Sequence, residues 1–180
     1  MQTVYLAGPE VFLPHAIEIG RRKKQLCAKY GFEGLFPFDN EISPTQHQRI
    51  DRLIYLANEG MMRRADFGIC NLTPFRGPSA DAGTVFELGF MAGLGKRVFA
   101  YTNSTADYAA RVLPASALAP DAELSDADGL MLENFGTADN LMIDWAVFEH
   151  GRVPIVRHDG AGALDDLAGF EECLRLAGQD

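Results

Sequence analysis

The chain has 180 residues, enough for one domain with a real core and too few for two comfortable ones. Apolar residues make up 47% and charged residues 23%, which excludes disordered and fibrous classes. A net charge of −9 opposes a surface that tracks phosphates, so no polymeric nucleic acid is expected as a partner.

Met1 leads directly into Gln2 to Ala7, an alternating strand without the basic region and apolar core of a signal segment. No run of about 18 apolar residues follows anywhere, so a soluble, cytoplasmic protein without membrane contact is expected. The first strand stops at Gly8-Pro9, where backbone is exposed at a turn. His15 to Tyr30 reads as an amphipathic helix whose basic run Arg21 to Lys24 is a solvated edge, and Gly31 ends it. Gly34 to Phe38 reads as a short second strand, and Asp39 to Gln48 as a polar loop. Ile50 to Ala65 returns to helical spacing through Leu53, Ile54, Ala57, Met61 and Met62. Asp66 to Leu72 is a buried strand, Thr73 to Asp81 a Pro/Gly loop, Ala82 to Gly95 an apolar helix, and Arg97 to Thr102 a further strand. Asn103 to Ala138 is an irregular excursion with one short helix. Asp139 to His150 (helix), Val153 to Val156 (strand) and Ala163 to Leu176 (helix) close the chain. Alternating strands and helices predict an α/β fold: one domain, residues 1–180, with an open parallel sheet carrying helices on both faces.

The three cysteines, Cys27, Cys70 and Cys173, are odd in number and scattered, which suits reduced structural thiols rather than zinc ligands. The histidines His15, His47, His150 and His158 have no spacing for a metal, and Gly95-Lys96 follows a helix where a phosphate-binding loop precedes one. No metal and no cofactor is expected.

Between Asp81 and Lys96 the only ionisable residue is Glu87, set among Phe86, Leu88, Phe90 and Met91. A carboxylate in a helix apolar on nearly all sides is paired, protonated, or kept for a ligand. The residues alone leave a structural ion pair open beside the functional reading. The helix follows a strand through a Gly/Pro loop, and in open α/β sheets ligands settle outside the carboxyl ends of strands. Asp81 is both a natural helix cap and a second carboxylate at the rim of that crevice. Two carboxylates of different solvation are the means of glycosyl chemistry, one as nucleophile and one as proton donor.

The stretch ADFGICNLTPFRGPSADAGTVFELGFMAGLGKRVFAYTN, with the opening VYLAGPEVF and the later DNLMID, resembles the nucleoside 2-deoxyribosyltransferase family. The likeness runs in outline from Thr3 to Ala146, except for Tyr108 to Asn134. It implies a flavodoxin-like or Rossmann-like fold, and a homo-oligomer whose neighbouring subunits complete each other's pockets. It also implies a reaction: transfer of deoxyribose from a 2'-deoxynucleoside to a free nucleobase. By that resemblance Glu87 is the nucleophile, Asp81 manages the proton of the base and Tyr5 holds the nucleophile. Asn58 contacts the sugar hydroxyls, and Asn140 comes from the adjacent subunit.

Read alone, Tyr5 is equally a core tyrosine, Asn58 an ordinary surface residue and Asn140 a helix cap. A base pocket lined by Phe12, Phe75, Met61 and Arg76 is expected, with Gly8 and Gly83 allowing close approach of backbone to the ligand. The first loop, GPEVFLPH, has no serine or arginine and favours a free nucleoside. Ser79 and Arg76 keep a 5'-monophosphate hydrolase as an alternative, and a non-catalytic nucleotide-binding domain is the third.

Overall fold

Strand β1 (Gln2–Ala7) sets the layout of the computed structural model, which describes residues 1–40, 42, 49–118 and 123–179. Its alternation sends Val4 and Leu6 into one core layer and Tyr5 and Ala7 into the other, and all four are fully buried. That is the condition of a central strand covered on both faces. The remaining strands are β2 (Phe32–Leu35), β3 (Phe67–Asn71), β4 (Arg97–Thr102), β5 (Leu124–Ser125), β6 (Met131–Leu132) and β7 (Val156–Arg157). The helices are α1 (Ala16–Lys29), α2 (Ile50–Arg64), α3 (Ala82–Gly93), α4 (Tyr108–Val112), α5 (Leu141–Gly151) and α6 (Ala168–Ala177).

The main sheet has the order β2-β1-β3-β4-β7, with every neighbouring pair parallel. Helices α1 and α6 bury Ile19, Cys27, Phe170 and Leu174 against Val4, Leu6, Ile69 and Phe99. Helices α2, α3 and α5 bury Met61, Met62, Leu88, Met91, Ile143 and Val147 against Tyr5, Ala7, Cys70 and Val98. Each such large side chain contributes about 1.5–3 kcal/mol on burial. From β1 the chain crosses to β2 on one side, then returns past β1 to β3. The strand order reverses there, and a crevice opens beyond the carboxyl ends of β1 and β3.

The α/β reading therefore holds, with local corrections. The second strand spans Phe32–Leu35 rather than 34–38. Gly31, at φ +82°, turns the chain straight out of the helix, and after Leu35 the Asp39 carboxylate accepts from Phe36 N at 2.9 Å and winds residues 37–39 into a 3-10 turn. The last strand is Val156–Arg157, placed beside Tyr101 and Thr102 after Pro154. The closing helix begins at Ala168, since residues 160–166 are held as loop by Asn103, whose Nδ2 donates to Ala163 O and Asp166 O. The excursion holds, besides α4, a 3-10 turn at residues 115–117 and an antiparallel hairpin of β5 and β6 that the sequence reading passed over. Of the predicted polar loop, Glu41 and residues 43–48, including His47, lie outside the described residues, as do residues 119–122 of the excursion. The three cysteines are free and buried, as expected.

Behind Gly8 lies a buried ion pair. Glu10 and Lys23 are both fully buried. Glu10 Oε1 accepts from Lys23 Nζ, and Oε2 accepts from Asn71 Nδ2 at 2.9 Å. The ammonium is also 4.9 Å from the Phe170 ring centroid, a cation–π contact. A Cβ on Gly8 would fall 2.1 Å from Glu10 Oε2, so only glycine fits over this carboxylate. Removing one partner strands the other in the core. Glu10→Ala is expected to lower unfolding free energy by about 3–5 kcal/mol in urea titrations, while Glu10→Leu combined with Lys23→Met recovers most of the loss.

Candidate active site

The crevice is a cavity of about 560 Å³ whose wall includes Gly8, Phe12, Asn58, Asp81, Gly83 and Glu87. It is large enough for a nucleoside-sized molecule. Val11, Pro37, Phe38, Ile42, Ile50 and Ile54 make most of the wall apolar; Asn40 and Thr84 add polar groups. Among the described lining residues the only charged groups are Asp81 and Glu87.

Helix α3 delivers Glu87. Residues Gly83, Thr84 and Glu87 stand at i, i+1 and i+4 and line the cavity together, while Thr84, Leu88, Met91 and Ala92 are buried. Glu87 Oε1 accepts a 2.5 Å hydrogen bond from Tyr5 Oη, and Oε2 has no hydrogen-bond partner among the described residues. Tyr5 reaches it because the alternation of β1 turns this side chain to the α3 side. Burial pushes the Glu87 carboxyl up to about 7, the Tyr5 hydrogen bond opposes that rise, and the Asp81 charge adds to it. Burial, reinforced by the neighbouring Glu87 carboxylate, holds the Tyr5 phenol far above its ordinary range, so it remains a donor.

Asp81 both caps α3 and lines the cavity. It caps α3, with Oδ2 accepting from Thr84 N at 2.9 Å and from Thr84 Oγ1 at 3.1 Å, while Oδ1 has no partner among the described residues. Because the cap lies before the first helical turn, a separation of six residues still brings both carboxylates to one cavity. An added Cβ on Gly83 would come within 3.0 Å of Asp81 Oδ2, so a larger residue there crowds the carboxylate.

The other predicted residues divide. Asn58 lines the cavity, and its buried Oδ1 has no hydrogen-bond partner among the described residues. Phe12 lines the mouth, 55% exposed, and stacks at 5.2 Å and 11° on Phe75, which backs it without lining the cavity. The Arg76 guanidinium carbon lies 4.7 Å from the Phe75 centroid and 5.2 Å from that of Phe12, so Arg76 braces the pair from outside. Met61 does not line the cavity: it is fully buried in the core, where its Sδ accepts from Asn40 Nδ2 at 3.6 Å. Ser79 donates its hydroxyl to Asp139 and is likewise absent from the wall. Asn140 caps α5, accepting from Met142 N, and donates to Glu133 Oε1 at 2.7 Å; it lies away from the cavity of its own chain. Asp66 is structural: its Oδ2 accepts from Thr3 N at 2.7 Å. Ile50 and Ile54 were missed, yet Ile50, Ile54 and Asn58 repeat every fourth residue, a spacing that puts one helix face toward the site. Thr84, three residues before Glu87, carries the same signal.

Residues 4–142 match the family Nucleoside 2-deoxyribosyltransferase. An uncharacterised protein of Schizosaccharomyces pombe is 35% identical over 159 residues, covering 78% of this chain and 74% of the relative. Among solved structures, a 2-deoxyribosyltransferase from Leishmania mexicana is similar with a TM-score of 0.68 and 31% identity, over 96% of this chain and 98% of that one. A conserved protein from Enterococcus faecalis shares the fold alone, with a TM-score of 0.58 and 19% identity over 98% of this chain and 99% of that one.

The raised Glu87 carboxyl has a consequence for stability. Between about pH 4.5 and 7 the folded state binds the Glu87 proton more tightly than the unfolded chain, so folding weakens as pH rises through this window. Glu87→Gln keeps an acceptor for Tyr5 and removes the buried charge. The variant is expected to match the parent near pH 4 and to exceed it by about 1–3 kcal/mol above pH 7.5 in denaturant titrations.

Proposed function

Because this chain belongs to the nucleoside 2-deoxyribosyltransferase family, we propose that it breaks the N-glycosidic bond of a 2'-deoxynucleoside and passes the sugar to another purine or pyrimidine base. The observation that carries the reading is Glu87: a carboxylate on an apolar helix, at the wall of a nucleoside-sized cavity, with one oxygen held by Tyr5 and the other without a partner among the described residues. Glu87 Oε2 attacks the anomeric carbon as its bond to the base nitrogen breaks, giving a glycosyl-enzyme ester. Asp81 gives a proton to the departing base and recovers one from the N–H of the incoming base. That base displaces Glu87, and two inversions retain the anomeric configuration. Lacking a 2'-hydroxyl, the sugar forms its oxocarbenium-like transition state more readily than ribose does. Asn58 Oδ1, without a partner among the described residues, suits a sugar hydroxyl donor, and the exposed face of Phe12 suits stacking of the base. The absence of any cation from the described wall favours a neutral nucleoside over a 5'-monophosphate.

A homo-oligomer belongs to the same reading. Helices α3 and α5 are apolar on their outer sides as well, with Phe86 51%, Met142 71% and Trp145 57% exposed. Packed against a second copy, these faces leave water and Asn140 approaches a neighbour's cavity. Sedimentation is expected to show an oligomer, and Trp145→Glu to shift it toward monomer with loss of transfer; a monomeric, fully active parent counts against this part.

Incubation with 2'-deoxyinosine and adenine, followed by chromatography, tests the reaction. New deoxyadenosine supports transfer, hypoxanthine alone identifies a hydrolase, and no change supports a binding domain. Glu87→Ala is expected to abolish turnover with the fold intact, and Asp81→Asn to slow it by about 10²- to 10⁴-fold. Since the attacking carboxyl must be ionised, kcat/KM should rise with pH through about 7.

A further inference from the structure

The loop that presents Asp81, residues 73–81, forms neither helix nor strand; Pro74 and Pro78 donate no backbone hydrogen bond, and Arg76 stands at φ +57°. Inside it Phe75 N donates to Ser79 O at 3.0 Å. Its last three residues before Asp81 are also gripped from outside. Asp139, 1% exposed, accepts from the Ser79 hydroxyl through Oδ1 and from Ala80 N at 2.9 Å through Oδ2. Arg111 Nε donates to Pro78 O at 2.6 Å. The same guanidinium donates to Ala106 O at 2.8 Å and Ala138 O at 2.6 Å, and stands 3.5 Å from Asp139 Oδ2. Asp139 is itself anchored, because the Asp144 carboxylate on α5 accepts from Ala138 N and Asp139 N at 2.9 Å each.

A buried carboxylate and a nearly buried guanidinium thus converge on the three residues that precede Asp81, and neither lines the cavity. We propose that Asp139 and Arg111 are positioning residues that clamp residues 78–80 and so aim Asp81 at the departing base. This rests on the transferase reading above. The clamp acts on the proton donor, whereas Glu87 is held separately by Tyr5 from another strand. Loosening it should therefore impair protonation of the leaving group and leave nucleophilic attack alone. A misplacement of about 1 Å can cost about 10²-fold in such a step.

The test compares two donors in the full-length protein: 2'-deoxyinosine, whose base must be protonated, and 4-nitrophenyl 2-deoxyriboside, whose leaving group needs no proton. Asp139→Asn keeps one accepting oxygen and puts an NH2 in place of the other, so Ala80 N and Asn140 N can no longer both be satisfied and the clamp is weakened in either orientation. It is expected to lower kcat on deoxyinosine by roughly 10- to 100-fold, and release of nitrophenolate by less than about 3-fold. Ser79→Ala removes one bond of the clamp; it should show the same bias at a smaller size, and it carries the test should Asp139→Asn fail to fold. Equal losses on both donors, or none on either, overturn the clamp while leaving the transferase reading intact. A parent protein inactive on both donors overturns the transferase reading and the clamp with it.

Discussion

A carboxylate at the edge of an apolar core is costly to keep charged, and the candidate site is organised around the group that meets this cost. Tyr5 brings a phenolic donor from the sheet to Glu87 Oε1, so the carboxylate has one firm partner and, among the described residues, one oxygen to spare. The hydrogen bond favours the ionised form and burial favours the neutral one, and burial prevails. A carboxyl balanced near neutrality, with its own donor built into the core, suits a group that alternates between free anion and bonded ester.

The fold places this group where a ligand can reach it. Reversal of strand order beside β1 opens the crevice, and Gly8, Asp81 and Glu87 all come from elements that start or end there. Beneath the crevice the Glu10–Lys23 pair and Asn71 tie the first loop to α1 and β3. On its far side Asp139 and Arg111 tie the loop before α3 to the base of α5. The loops on both sides of the crevice are thus fixed by buried charged groups, and a satisfied buried network rigidifies the irregular backbone it bonds.

Much of this was legible in the residues. The alternation of β1, the isolated Glu87 in its apolar helix and the capping position of Asp81 all depend on near neighbours in the chain. Met61 and Ser79 were misplaced for a common reason: each stands near the site in sequence, but the direction of its side chain is decided by a distant partner. Met61 follows the face of α2 that meets the sheet, and Ser79 turns to Asp139, sixty residues away. The start of α6 was misjudged likewise, because Asn103 of a different segment holds residues 163 and 166 as loop. The β5–β6 hairpin was passed over since its strands are two residues each, too short for a period to register.

By itself the sequence determined the α/β class, the family and the acidic pair of Asp81 and Glu87 on α3 and its cap, because periodicity, turn residues and a contiguous motif are properties of neighbouring positions. Only the tertiary structure decided the geometry by which Tyr5 bonds Glu87 and the hydrogen bonds by which Asp139 holds Ser79 and Ala80 before Asp81. Those bonds join segments about 60 to 80 residues apart in the chain, and no local pattern records which of two facing side chains will turn toward the other.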